Sequence, residues 1–221
     1  MTGGFTCLIK TQDVMDVPLL SGGELLYFGL VNQKAAPVSE KQSIVILTTP
    51  RLILRAAVEE DIPILQNLIL GDSDVMRFAF SGAPMAGDAA EDFMRRSFTF
   101  GSSLTGMAVL TEKPTGEVIG FAGLSPCDAL GADDFEIGFV LARRAWGRGI
   151  ATEIGEAQLA FGFDRLKCGR LLGLVDPRNA PSIHALEKLG MRYLETMTDP
   201  RRGSRSVFAI EAGEWRRRRA E

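Results

Sequence analysis

Histidine is almost absent from this chain of 221 residues, with His184 its single copy. That scarcity removes the histidine-rich clusters on which most zinc sites are built. It also makes any Ser-His-Asp triad depend on one residue. Cysteine is equally thin. Cys7, Cys127 and Cys168 are odd in number and far apart, so no disulfide framework is implied. Cytoplasmic placement follows from that usage. No apolar run is long enough to span a bilayer, and the first residues lack the basic start and apolar core of a signal peptide. Positive charge is not in excess either: the net charge of −3 argues against a general nucleic-acid binder. What remains is a soluble globular composition, 46% hydrophobic and 24% charged, with enough length for one substantial core and an appendage.

Residues 1–47 carry no motif. Their apolar runs at 25–31 and 44–47 are broken by Gly22-Gly23 and Pro37, a texture too apolar for a disordered tail. They read as an N-terminal extension that adds strands, covers a sheet edge or makes an oligomer contact; a start assigned too far upstream fits equally. From Thr48 the pattern sharpens. Leu52 and Leu54 alternate as in a strand, and the acids at 59–61 open a helix with a buried stripe of Ile62, Leu65 and Ile69. A second helix is expected over 91–98. Residues 107–110 and 118–124 read as a hairpin around Lys113-Pro114-Thr115-Gly116. Residues 135–141 form the next strand, with Phe135, Ile137, Phe139 and Leu141 on one face and Glu136, Gly138 and Val140 on the other. Helical spacing returns at Ile150, Ile154, Ala157 and Phe161, with a cap near Gly169. A strand at 171–175 follows, then a short helix striped by Ile183, Leu186 and Leu189 and ended by Gly190. Two closing strands contain Tyr193 and residues 207–210.

Between the strand at 135–141 and its following helix lies Arg144-Ala145-Trp146-Gly147-Arg148-Gly149-Ile150-Ala151-Thr152. Gly147 and Gly149 lack a Cβ, so an anion can approach their N–H groups and positive φ costs nothing. The first turn of a helix offers unpaired N–H groups and the positive end of the macrodipole, which suits a pyrophosphate. The loop is not a Walker A motif, because no Gly-Lys-Ser/Thr closes it. Nor is it G-x-G-x-x-G, since Thr152 stands where the third glycine would be.

The pattern Arg144-x-x-Gly147-x-Gly149 strongly resembles the acyl-CoA loop of the GNAT superfamily of N-acetyltransferases. Further segments resemble its RimJ/RimL-like branch, typified by ribosomal-protein N-terminal acetyltransferases. They are Thr49-Pro50-Arg51-Leu52-Ile53-Leu54-Arg55, Glu136-Ile137-Gly138-Phe139, the loop running on to Glu153, and Asn179-x-x-Ser182 before Leu186-Glu187-Lys188-Leu189-Gly190-Met191. The resemblance implies an α/β (α+β) GNAT fold over residues 48–212, with a basic C-terminal tail at 213–221. Its central twisted sheet would be mixed but mostly antiparallel, flanked by helices and splayed at the CoA site.

It also implies the site. Backbone amides from Gly147 through Arg148, Gly149, Ile150 and Ala151 to Thr152 would hold the CoA diphosphate, with Arg144 and Arg148 supplying charge. Phe139, Val140 and Leu141 would pair with the pantetheine arm as an added strand, and a free N–H there would polarise the thioester carbonyl. Asn179 would bond CoA, although its position suits a helix N-cap equally. Ser182 lies where the thiolate departs, and is otherwise an ordinary first-turn serine. The tyrosine that many relatives use as general acid is matched here by Leu186, which leaves Ser182 or solvent. His184 reads as a helix-surface residue. Glu136 is the candidate base, with a structural ion pair as its alternative; Asp133 and Asp134 read as loop acids.

The expected reaction is direct acetyl transfer from acetyl-CoA, without a metal, to a primary amine in a ternary complex. The acceptor would be a protein N-terminal α-amine or a small amine. A non-catalytic acyl-CoA-binding module is the alternative. Arg216 to Arg219 read as a solvated run rather than a ribosome-docking element. No membrane partner or specific nucleic acid is expected, and dimers are common among resembling proteins.

Overall fold

The computed structural model describes residues 43–200 and 202–220; Cys7 and the apolar run at 25–31 lie outside the described residues. These residues build one eight-stranded sheet. In chain order its strands are β1 (Val45–Thr48), β2 (Leu52–Arg55), β3 (Gly106–Glu112), β4 (Val118–Cys127), β5 (Asp134–Leu141), β6 (Arg170–Val175), β7 (Arg192–Asp199) and β8 (Gly203–Glu211). Their spatial order is β1-β2-β3-β4-β5-β6-β8-β7. Every neighbouring pair is antiparallel except β5 and β6, which run parallel. The helices are α1 (Asp61–Leu65, extended by a wider turn over Gln66–Leu70), α2 (Ser73–Met76), α3 (Asp88–Ser97), α4 (Ile150–Ala160, likewise extended over Phe161–Arg165), α5 (Ala180–Lys188) and α6 (Ala212–Ala220).

The period-two reading of β5 holds. Phe135, Ile137, Phe139 and Leu141 join the packing that contains Ile150, Ile154 and Leu159 of α4, whereas Val140 packs with Ile62, Leu65 and Met94 on the opposite face. The stripe of Ile62, Leu65 and Ile69 is buried as expected, and so are Leu186 and Leu189. Residues 45–47, assigned to an extension, are instead part of edge strand β1, paired with β2. The cap expected near Gly169 falls at Lys167, which takes the positive φ of 58°.

The basic tail is also corrected, because residues 212–220 form α6. Trp215 is buried with its ring 5.2 Å from that of Phe163, and Arg218 donates to the Lys188 carbonyl at 3.2 Å. One buried tryptophan supplies the apolar contact that makes this charged helix dock, an effect a charge run conceals.

Helix α4 positions the site, and three contacts fix it. A Cβ on Gly155 would stand 2.5 Å from Leu189 Cδ1, so the absent side chain leaves room for Leu189 to pack closely against α4. The fully buried Gln158 amide donates to the carbonyls of Gly123 (2.8 Å) and Gly138 (3.0 Å), tying α4 across β4 and β5. At the start of the helix, Glu153 accepts from the Thr49 hydroxyl, the Arg51 N–H (3.0 Å) and the Arg51 guanidinium. Burial pushes the Glu153 carboxyl up, but those donors outweigh it and hold it below the ordinary range. Arg51 also donates to the Arg148 carbonyl at 3.0 Å, so the chain before β2 grips the loop before α4. Replacing Glu153 by Ala should cost about 1.5–3 kcal/mol, the usual worth of hydrogen bonds to a charged group. The denaturant midpoint measures the loss, and an unchanged midpoint would remove Glu153 as the clamp.

Candidate active site

Strand β5 parts from β6 after two residue pairs, Phe135 with Leu171 and Glu136 with Leu172. It stays paired to β4 all the way to Leu141 opposite Gly120. The Ala142 N–H donates to the Ile119 carbonyl at 2.9 Å. Antiparallel pairs alternate, so the backbone groups of Val140, Gly138 and Glu136 are directed to β4 and those of Ile137, Phe139 and Leu141 into the gap. The Leu141 carbonyl is already taken by the Trp146 indole at 2.8 Å. The Phe139 N–H and carbonyl therefore have no strand partner on that side among the described residues. Val140, expected to pair with CoA through its backbone, spends that backbone on β4.

The glycine loop ends beside this gap. Gly147 (φ 69°) and Gly149 (φ 74°) both sit in the left-handed region, where any other L-residue would be strained. The first backbone bond of α4 runs from the Glu153 N–H to the Gly149 carbonyl, so the N–H groups of Ile150, Ala151 and Thr152 have no backbone acceptor among the described residues. Such a turn fits a diphosphate. The Ile150 side chain is buried in the core, so only its amide can serve. Arg148 reaches Glu112 at 2.6 Å, and Arg144 reaches the Val118 carbonyl at 2.7 Å and Glu117 at 3.5 Å. Both guanidinium groups thus share their charge with the β3–β4 hairpin. Arg51, which the sequence presents as a strand residue, stands on the other side of the loop, 3.6 Å from where a Cβ on Gly149 would be.

Across the gap begins α5. Asn179 is its N-cap, accepting from the Ser182 N–H at 3.4 Å, while its amide N–H groups have no partner among the described residues. Ser182 is half-buried and its hydroxyl is likewise unpartnered there. His184 is 65% exposed and 3.9 Å from Glu187, a surface position. Leu186 is buried in the core, as its stripe predicts. Among the described residues no cluster of three His, Cys, Asp or Glu side chains could hold a metal ion.

This arrangement has close counterparts. The family described as Acetyltransferase (GNAT) domain matches residues 51–192. The chain belongs to the GNAT acetyltransferase family. The uncharacterized protein YkkB of Bacillus subtilis (strain 168) is 35% identical over 154 residues, covering 68% of this chain and 87% of that relative. A GNAT acetyltransferase structure from Bacillus anthracis superposes with a TM-score of 0.65 at 22% identity, over 78% of this chain and 99% of its own. The spermidine N-acetyltransferase of Vibrio cholerae, solved with CoA and spermine, gives 0.62 at 17% identity, over 76% and 99%. At those identities the two structures speak for the fold. This GNAT protein is an acetyl-CoA-dependent acetyltransferase.

Glu136 stands where the strands part, its side chain only 14% exposed. Both carboxylate oxygens accept from Arg202 Nη1 at 3.0 Å, and the Leu174 N–H of β6 donates to it as well. Burial pushes the Glu136 carboxyl up against the pull of Arg202. Asp134 is spent on Arg170. Arg202 and its neighbour Arg205 are marked by no motif in the sequence. Their partners lie in β5 and in the turn after β6, separations that no short motif reports.

In that turn Asp176 accepts from the Arg178 N–H at 2.9 Å and its guanidinium at 2.8 and 3.0 Å, and Arg205 lies at 3.5 Å. The Arg178 bonds outweigh burial and hold the Asp176 carboxyl at about 2, against an ordinary 3.8. A depressed folded-state pKa contributes stability in full above the unfolded value and loses it as pH falls. Stability should therefore drop between pH 3.8 and about 2. Denaturant titrations across that window should show a shallower decline for Asp176→Asn; an identical slope would remove Asp176 as its source.

Proposed function

We propose that this GNAT protein moves acetyl directly from acetyl-CoA to a neutral primary amine in a ternary complex. The parting of β5 and β6 around a buried carboxylate carries this reading. In it, the amides of Gly147 to Thr152 hold the diphosphate, with Arg144 and Arg148 beside them. Phe139 pairs with the pantetheine, Leu141 bounds that edge, and Asn179 bonds CoA with the amide N–H groups its cap leaves free.

Transfer forms an N–C bond and breaks the thioester C–S bond. One proton must leave the nitrogen and one must reach the departing sulfur. Glu136 takes the first through a water, and its raised pKa brings it nearer the working pH of a base. The unpartnered Ser182 hydroxyl delivers the second. The Phe139 N–H is aimed to steady charge developing on the carbonyl oxygen. Holding amine and thioester together supplies much of the acceleration.

An α-amine titrating near pH 8 is partly neutral at physiological pH, whereas a lysine near 10.4 is rarely so. A protein N-terminus or a small α-amine is the acceptor this chemistry favours. The grip of Thr49 and Arg51 on Glu153 joins two segments of RimJ/RimL-like pattern, which supports placing the chain in that branch.

Glu136→Gln should lower kcat by about 10²- to 10⁴-fold, erase the acid limb of the pH–rate profile and leave acetyl-CoA affinity intact, read as free thiol and by calorimetry. A loss confined to KM would make Glu136 a positioning residue for Arg202. Unaltered turnover would overturn it as the base.

A further inference from the structure

Beside the splay lies a cavity of about 360 Å³, walled by residues 77, 78, 80–82, 176–178 and 202–205. That size falls at the small end of the ~300–1,000 Å³ typical of small-molecule sites. One wall is shared with the proposed chemistry, because Arg202 lines the cavity and binds Glu136.

The lining is dominated by one charge. Arg77, Arg178, Arg202 and Arg205 face it, against a single lining carboxylate, Asp176. Asp176 is already committed to Arg178 and Arg205, and Glu136 to Arg202. Arg77 has no carboxylate partner among the described residues. Its guanidinium lies 4.7 Å from the centre of the Phe78 ring, and that of Arg178 lies 5.7 Å from the same centre. Two guanidinium groups therefore lie near one aromatic ring of the lining; Arg178 is 75% exposed. Burial lowers the Arg205 pKa, and the charge of Arg202 lowers it further, against the opposing pull of Asp176, Asp199 and Glu136.

The wall is also held in a costly shape. Phe80 takes a φ of 48°, unusual for a bulky residue. Arg205 donates to its carbonyl, and its ring packs 4.6 Å from Phe93 and 6.2 Å from Phe121. Strain kept by such over-determination accompanies pre-shaped ligand sites.

We propose that this cavity is the acceptor pocket and that it selects a small amine bearing an oxyanion, a carboxylate or phosphate, over polyamines and neutral amines. The proposal rests on the acetyltransferase reading above and narrows its acceptor. Arg77 and Arg178 supply planar donor forks matched to such a group. With the oxyanion held there, the amine is directed toward the Arg202–Glu136 side. A polyamine would meet only cations and carboxylates already paired.

The test compares matched acceptors on the full chain at saturating acetyl-CoA: alanine against alaninamide, phosphoethanolamine against ethanolamine, and spermidine. The anionic member of each pair should lead by on the order of ten-fold in kcat/KM. The two pairs separate carboxylate from phosphate. Arg77→Ala, at an exposed position, should raise KM for the anionic acceptors about ten-fold and leave acetyl-CoA KM unchanged. Preference for spermidine or alaninamide, or an unmoved KM in Arg77→Ala, would overturn the proposal. If none of these amines turns over, calorimetry decides. Alanine or phosphoethanolamine binding to the enzyme–CoA complex, weakened by Arg77→Ala, upholds the pocket. Absence of both heats with CoA still bound overturns it and spares the acetyltransferase reading; absence of CoA binding strikes that reading itself.

Discussion

The separation of two parallel strands is the constraint on which the site depends. A sheet that opens mid-way leaves backbone polar groups without partners, and buried groups of that kind are expensive. Here the expense is met on both sides. On β6, the Leu174 N–H finds the Glu136 carboxylate. On β5, the Leu141 carbonyl finds the Trp146 indole, and the Phe139 groups are left for a strand-like ligand. A buried carboxylate would be unfavourable in turn, and Arg202 offsets it from the loop before β8. Glu136 thus stands where the strands part and is also the proposed base, which is why its substitution must be read through kcat, KM and pH together.

The glycine loop depends on contacts made far away in the chain. Two left-handed glycines shape the turn, yet what fixes it is the Glu153 clamp to Thr49 and Arg51. Arg51 then reaches back to the Arg148 carbonyl. Gln158 does the same for the other end of the site, bonding α4 to the carbonyls of Gly123 and Gly138. Diphosphate loop and open strand are thereby parts of one rigid frame rather than two adjacent features.

Charge organises the opposite side. Asp176, Arg178, Arg202 and Arg205 come from the turn after β6, the loop leading into β8 and the start of β8 itself, and they form one partly buried network with Glu136. The spermidine enzyme of Vibrio cholerae shares the fold, but an arginine-lined cavity is poorly suited to a polycation. Fold likeness and acceptor chemistry are separable.

Strands, helices and the glycine turn before α4 were legible in the chain because each is written in local periodicity or spacing: alternation over 135–141, the stripe of Ile183, Leu186 and Leu189, the glycines at 147 and 149. The docking of α6 was not, since one tryptophan among arginines carries no period. Nor was it legible that Val140 would spend its backbone on β4 while Phe139 faced the gap, because that depends on hydrogen-bond phase with a neighbouring strand. The amino-acid order by itself determined the family and its cosubstrate, because those rest on motifs of residues adjacent in the chain. Only the tertiary structure decided what surrounds Glu136 and what lines the cavity beside it. Electrostatic partners are chosen by proximity in space, and Arg77, Asp176 and Arg202 become neighbours only after the sheet has closed.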